Sequence, residues 1–176
     1  MRLTNALWII AVVVLLLTGL AWAGIANTKH NLSVTGPGTI KAVSETRICV
    51  FCHTPHGANP ARPLWNHQLS TATYQVPSSA DPQWSNLLST VGQPDGDSKL
   101  CLSCHDGTVA IGALVNMPGS GSSGTVSMQG VGTGGVMPST AYGYIGTDLR
   151  NTHPVSIAMN DQLIADKNAC TQPGAY

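Results

Sequence analysis

Apolar positions are unevenly spread along this chain. They form one long run from Leu7 to Leu20, behind the lone charge of Arg2, and afterwards occur in short groups punctuated by Gly, Pro, Ser and Thr. The run is followed by "AWA" at Ala21 to Ala23, the small-x-small form of a signal-peptidase site. Residues 1–23 are therefore expected to be an export signal, with the mature chain starting at Gly24. At 14 residues the run falls short of the roughly 20 that a bilayer-spanning helix needs, so the mature protein is expected to be soluble and exported, periplasmic or at the cell surface.

Beyond the signal, helical periodicity is brief. "SETRICVFCH" begins with a candidate N-cap at Ser44 and would place Ile48, Phe51 and Cys52 on one side. "DPQWSNLLSTVG" offers Asp81 as cap, Pro82 at the first position, Trp84, Leu87 and Leu88 at helical spacing, and Gly92 beyond the end; this reads as a packing helix. "DSKLCLSCHDG" has Ser98 as cap and Gly107 as stop. From about 116 to 146 the chain includes "PGSGSSGTVSMQGVGTGGVMPS", which has little periodicity of either kind and reads as a Gly-rich surface loop. The alternative use of its glycines is close packing against a flat cofactor.

Composition sharpens the picture. Phe51 is the only phenylalanine, and after the signal Trp65 and Trp84 are the only tryptophans. About 150 residues suffice for one domain, 24–176, but the side chains that build a protein-only core are scarce. Something else is expected to fill the middle. Eight basic residues balance eight acidic ones, and no basic stripe exists to hold nucleic acid.

The chemistry lies in a device that occurs twice, Cys-x-x-Cys-His, at Cys49, Cys52, His53 and at Cys101, Cys104, His105. It reads as covalent attachment of c-type haem. The two thiols add to the two vinyl groups of a porphyrin, and the next residue, a histidine, lies under the iron as its proximal ligand. Three other readings compete. A four-cysteine zinc site usually separates its pairs by about 15 to 20 residues, whereas 48 lie between Cys52 and Cys101. Neither zinc nor a disulfide framework explains a histidine behind both pairs, which chance would supply roughly once in nine hundred given six histidines in 176 residues. A thioredoxin-like redox site would want one motif in a strand-helix setting.

The stretch "CVFCHTPHGA" carries a second histidine. His56 sits one turn beyond His53, on the same side of the porphyrin, and is poorly placed for the far face of that haem. It would serve as distal ligand of a different haem or as an ordinary turn histidine beside Gly57. Two haems with bis-histidine ligation need two distal histidines, and four are available: His30, His56, His67 and His153. Methionine ligation by Met117, Met128, Met137 or Met159 is the minor alternative.

The ordered set "KHNLS", "CVFCHTPHGANPARPLWN", "GQPDGDSKLCLSCHDGTVAIGA" and "NTHPVSI" resembles the exported multihaem c-type cytochromes with doubled Cys-x-x-Cys-His motifs. That family includes cell-surface and filament-forming electron conduits of anaerobic respirers. The resemblance covers His30 to Ile157 and implies closely spaced, mostly bis-histidine haems. Cys49, Cys52, Cys101 and Cys104 would be the thioether residues, His53 and His105 the proximal ligands, and His30, His56 and His153 the favoured distal ones. His67, two residues after Trp65, is the fourth candidate and equally reads as a packing residue. The chain departs from the family after His153, where relatives carry further motifs and this sequence has only Cys170. It is thus either a two-haem member or a shortened form of a longer chain.

These readings converge on a mostly irregular fold with short α-helices, a multihaem cytochrome c whose two haems form the core. The expected function is electron transfer to and from redox protein partners, with self-association or a filament through His56 or another surplus histidine. The alternative is a haem enzyme, an oxide reductase or peroxidase, with one open iron and an acid-base group beside it. Asp106 is the nearest carboxylate for that role, though its position reads as a helix end or surface site.

Overall fold

The computed structural model describes residues 24–85 and 90–152, together with 155 and 161. The export signal, Leu87, Leu88, His153, Met159 and Cys170 lie outside the described residues. Among the described residues, no helix is long and apolar enough to cross a membrane.

The expectation of a mostly irregular chain holds. Among the described residues there is one full α-helix, α1 (Gly96–His105), and two sheets of two strands each. Strand β1 (Lys41–Ala42) pairs antiparallel with β4 (Met128–Gln129), setting Ala42 opposite Met128. Strand β2 (Ala113–Leu114) pairs antiparallel with β3 (Gly124–Thr125), setting Leu114 opposite Gly124. Single-turn 3-10 segments occupy Ile25–Asn27, Cys49–Phe51, Pro82–Trp84 and Thr133–Gly135.

Three sequence expectations are corrected here. The first cysteine segment is not a helix capped by Ser44 but one 3-10 turn, Cys49–Phe51, with Ile48 in the capping position. Tertiary pairing takes the backbone groups that a longer helix would use: Thr54 N donates to the Leu64 carbonyl, Asn66 N donates to the Cys52 carbonyl, and His53 pairs with Trp65. Helix α1 starts two residues before Ser98, with Asp95 at its cap position; Gly107 does end it, at φ +74° just past the C-cap Asp106. The Gly-rich tract is not a loop standing off the surface. It supplies β3 and β4, and buried Val126 anchors it through a 2.9 Å hydrogen bond to the Gly112 carbonyl.

The apolar core is small. Ala42, Phe51, Leu114 and Val126 form one cluster, with Leu32, Val50, Met117 and Met128 at its edge; Tyr74, Leu102 and Leu149 form the other. Buried polar side chains do much of the remaining joining. Asn66, 1% exposed, donates from Nδ2 to the carbonyls of Val50 (2.6 Å) and Asn116 (3.1 Å), and accepts on Oδ1 from Asn116 N at 2.9 Å. It therefore ties the first cysteine turn to the exit of β2. Replacing it leaves two part-buried carbonyls without their donor.

Asn66→Ala in the mature, exported protein should lower unfolding stability by on the order of 3 kcal/mol, read as a reduced denaturation midpoint with unchanged slope. A loss below about 0.5 kcal/mol, the range of ordinary surface substitutions, would show that this stitch carries no weight.

Candidate functional site

The second cysteine segment lies on α1, where spacing of three residues brings Cys101 and Cys104 to the same face. Cys101 is exposed and Cys104 is half-buried. His105 closes the helix and is clasped by the end of the Gly-rich tract: its carbonyl accepts from Ile145 N (2.8 Å) and Gly146 N (3.3 Å). Its Nδ1 lies 2.6 Å from the Gly143 carbonyl. A carbonyl only accepts, so Nδ1 carries the proton and Nε2 presents a lone pair. The fit is close: a Cβ on Gly143 would stand 3.1 Å from the imidazole.

His30 faces this ring. The two imidazole centroids are 6.1 Å apart with an interplanar angle of 75°. Two imidazoles bound to opposite sides of one metal have centroids about 6 Å apart, since each places a metal–nitrogen bond of about 2 Å and half a ring between its centre and the ion. The observed separation falls at that spacing, with the rings in an edge contact. His30 is exposed and His105 half-buried, so both can be reached by a porphyrin.

The first segment is built differently. His53 N donates to the Cys49 carbonyl at 2.7 Å, and the His53 backbone pairs with Trp65, but the side chain is exposed. It lines a cleft of about 280 Å³ with Arg47, Val50, Pro55, His56 and Met117. His56 is exposed while its carbonyl is gripped by Thr54 Oγ1 (2.8 Å) and Asn116 Nδ2. The backbone is thus fixed and the imidazole projects without a hydrogen bond among the described residues.

The cysteines themselves separate the competing chemistries. All four are free thiols. Burial pushes the Cys52 thiol above its ordinary range, with Cys49 adding to the effect. Burial likewise pushes Cys104 up to about 12, with Cys52, Asp106 and Cys101 contributing. A thioredoxin-like site needs the opposite shift. Among the described residues no three His, Cys, Asp or Glu side chains gather around one point. Of the groups that act on Cys104, Cys52 belongs to the other motif.

Two residues change standing. His67, a distal candidate, is 1% exposed. Its Nδ1 contacts the Gln68 carbonyl at 2.6 Å, its Nε2 is buried without a partner, as is Trp65 Nε1, and burial lowers its pKa, partly offset by the carbonyls of Gln68, Ile111 and Ala110. Protein encloses this ring, whose centroid lies 6.5 Å from that of Trp65, the packing position that the sequence offered beside the ligand role. His153, the remaining candidate, lies outside the described residues.

Asp106 is the second. It ends α1, as expected, but is 2% exposed and not on the surface. Its carboxylate accepts from Tyr74 Oη at 2.6 Å and from Thr108 N and Oγ1 at 2.8 Å. Burial alone would raise its pKa, yet hydrogen bonds from Ser70, Tyr74 and Thr108 outweigh it and hold the carboxyl low. Both carboxylate oxygens are engaged by these donors. No local signal marks this hub, because Tyr74 lies 32 residues upstream.

No protein-family model matches the chain, and no curated protein matches it. The resemblance to doubled-motif cytochromes thus stands on the quoted residues alone.

Tyr74 provides a pH test of the Asp106 hub. Burial, then its bond to Asp106, pushes its pKa from 10 to about 12. A folded pKa above the unfolded one stabilises fully below the unfolded value and fades as pH rises through the folded one. Stability should therefore fall between pH 10 and about 12, and Tyr74→Phe should flatten that part of the profile. An unchanged slope in the variant would place the alkaline transition elsewhere.

Proposed function

We propose that this chain is an exported electron-transfer protein that carries two covalent c-type haems, one on Cys49 and Cys52 with His53 as proximal ligand, one on Cys101 and Cys104 with His105. The observation that carries the reading is the His30–His105 apposition, 6.1 Å between centroids, with the His105 tautomer fixed by Gly143. That pair follows a Cys-x-x-Cys-His segment, where no zinc or disulfide chemistry calls for it.

The haems, when bound, supply a one-electron couple at low-spin iron. The chain's own part is to hold and shield. His105 is oriented from behind by a carbonyl, which raises its basicity as a ligand. His30 closes the opposite side, so this site offers no open coordination position and suits electron transfer over substrate chemistry. The small apolar core and the nearness of Cys52 to Cys104 are both accounted for by two adjacent macrocycles filling the interior. Exchange would be with redox protein partners.

The first site differs. Among the described residues no second imidazole faces His53 as His30 faces His105. His56, fixed at its backbone and free at its ring, is suited to ligate a haem other than its own, and a neighbouring copy of the chain is the arrangement that would extend an electron path into a filament. The apolar run of residues 1–23 and its small-x-small end support a site of work outside the cytoplasm, in the periplasm or at the cell surface.

Protein matured in a haem-attaching periplasm should show a mass of polypeptide plus two haems, and Cys101→Ala should lose or loosen one of them. A bare polypeptide mass after proper maturation, or zinc in place of iron, would end the haem reading. His56→Ala should raise the high-spin fraction at one iron, and if the contact is between chains, dilution of the unmodified protein should do the same while reducing particle size. Spectra and size that do not change would return His56 to an ordinary turn residue.

A further inference from the structure

The following rests on the reading of Cys101, Cys104 and His105 as a haem site and concerns what keeps His30 in place. On the C-terminal side of His30 the backbone is pinned. Asn31 is 1% exposed, donates from Nδ2 to the Ala26 carbonyl at 2.8 Å, and accepts on Oδ1 from Ser33 N and Ser33 Oγ. Ala42 N then binds the Leu32 carbonyl at 2.8 Å. On the N-terminal side, residues 24–30 are all exposed, and local bonds hold their backbone: Asn31 N donates to the Thr28 carbonyl at 3.0 Å and His30 N to Thr28 Oγ1 at 3.3 Å. The His30 imidazole itself makes no hydrogen bond among the described residues, whereas His105 is held at its carbonyl and at Nδ1. His30 is thus the labile member of the pair.

One contact crosses from this exposed side. Lys29 Nζ lies 5.4 Å from the centre of the Tyr142 ring. Tyr142 is the residue before Gly143, whose carbonyl holds His105, and Lys29 is the residue before His30. The two segments that bring the imidazoles into edge contact are therefore joined a second time, at the adjacent positions. Tyr142 is 99% exposed, so core packing does not explain where its ring sits. An ammonium over the face of a tyrosine is attracted by the ring quadrupole.

We propose that Lys29 and Tyr142 form a latch that holds His30 over His105. Both are positioning residues that touch no iron and act through His30. The latch sets how often His30 leaves, and so how often a small neutral diatomic ligand can take its place; the occupancy of the competent, His30-off state scales the observed binding.

The test uses the full mature, haem-loaded protein, reduced, with carbon monoxide as probe. The binding phase of this site is identified as the one that His30→Ala makes fast. Tyr142→Ala and Lys29→Met, the latter keeping the aliphatic stem and removing the charge, should each accelerate that phase by about two- to five-fold, the effect of an exposed cation–π contact. Tyr142→Phe keeps the ring face and should bind at the unmodified rate. The double variant should be no faster than either single one, because both remove the same interaction. Unchanged rates in Tyr142→Ala and Lys29→Met, a Tyr142→Phe as fast as Tyr142→Ala, or additive effects would overturn the latch. A chain of bare polypeptide mass would sink the haem reading and the latch together, whereas a fully loaded chain with unmoved rates would sink the latch alone.

Discussion

The hydrogen bond from His105 Nδ1 to the Gly143 carbonyl, at 2.6 Å, is the constraint on which the most depends. It fixes which imidazole nitrogen keeps its lone pair, and it draws the end of α1 against a tract with almost no regular structure of its own. Ile145 N and Gly146 N complete the clasp by donating to the His105 carbonyl, one of the acceptors a helix leaves open at its C-terminus. A side chain on Gly143 would crowd the ring at 3.1 Å, and one on Gly107 would strike Tyr144 at 2.6 Å. The glycines of this region are consequences of how near the backbone must come to one imidazole.

The rest of the fold is held by buried polar joints as much as by apolar contact. Each small apolar cluster is flanked by one: Asn66 beside the Phe51 cluster, and the Tyr74–Asp106–Thr108 hub beside Leu102. Ser70 extends that hub, its backbone N–H bound to Ser103 Oγ at 3.0 Å and its hydroxyl to Thr108 Oγ1 at 2.9 Å. Hydrogen bonds of this kind contribute only about 0.5–1.5 kcal/mol net when made, but leaving one partner buried and alone costs more. They therefore specify geometry better than they supply stability. On the proposed reading, a chain with a large apolar cofactor to accommodate would gain from joints that set the positions of the cysteine segments by direction and not by bulk.

Local features were legible in the sequence and long-range ones were not. The cysteine spacing, the stop at Gly107 and the scarcity of regular structure follow from neighbours in the chain, where propensity and turn chemistry operate. The two-residue strands β3 and β4 leave no period to detect, since alternation needs four or more residues to show; their existence depends on pairing with β2, a short distance earlier, and with β1, far upstream. His67 and Asp106 illustrate the same limit. Nothing around either residue in sequence says that protein will enclose it, because the enclosing groups come from Ile111 and Leu114 for one and from Tyr74 for the other. The surplus of histidines was visible as a count, but that His30 is the residue opposite His105, 75 positions later, is a statement about tertiary structure alone.

The two cysteine segments, alike in sequence, differ in how far the chain completes them. His105 is met by an imidazole of its own chain and clasped by three backbone groups. His53, by contrast, opens on a cleft whose other histidine, His56, has a fixed backbone and an unengaged ring. Identical attachment chemistry thus sits in unequal surroundings, and reduction potential follows surroundings through ligand identity, exposure and local hydrogen bonding. On the proposed reading, the shielded site would hold an electron against solvent and the exposed one would meet whatever lies outside. On that reading, the difference between the two sites would give a path through the chain a direction that its repeated motif alone could not provide.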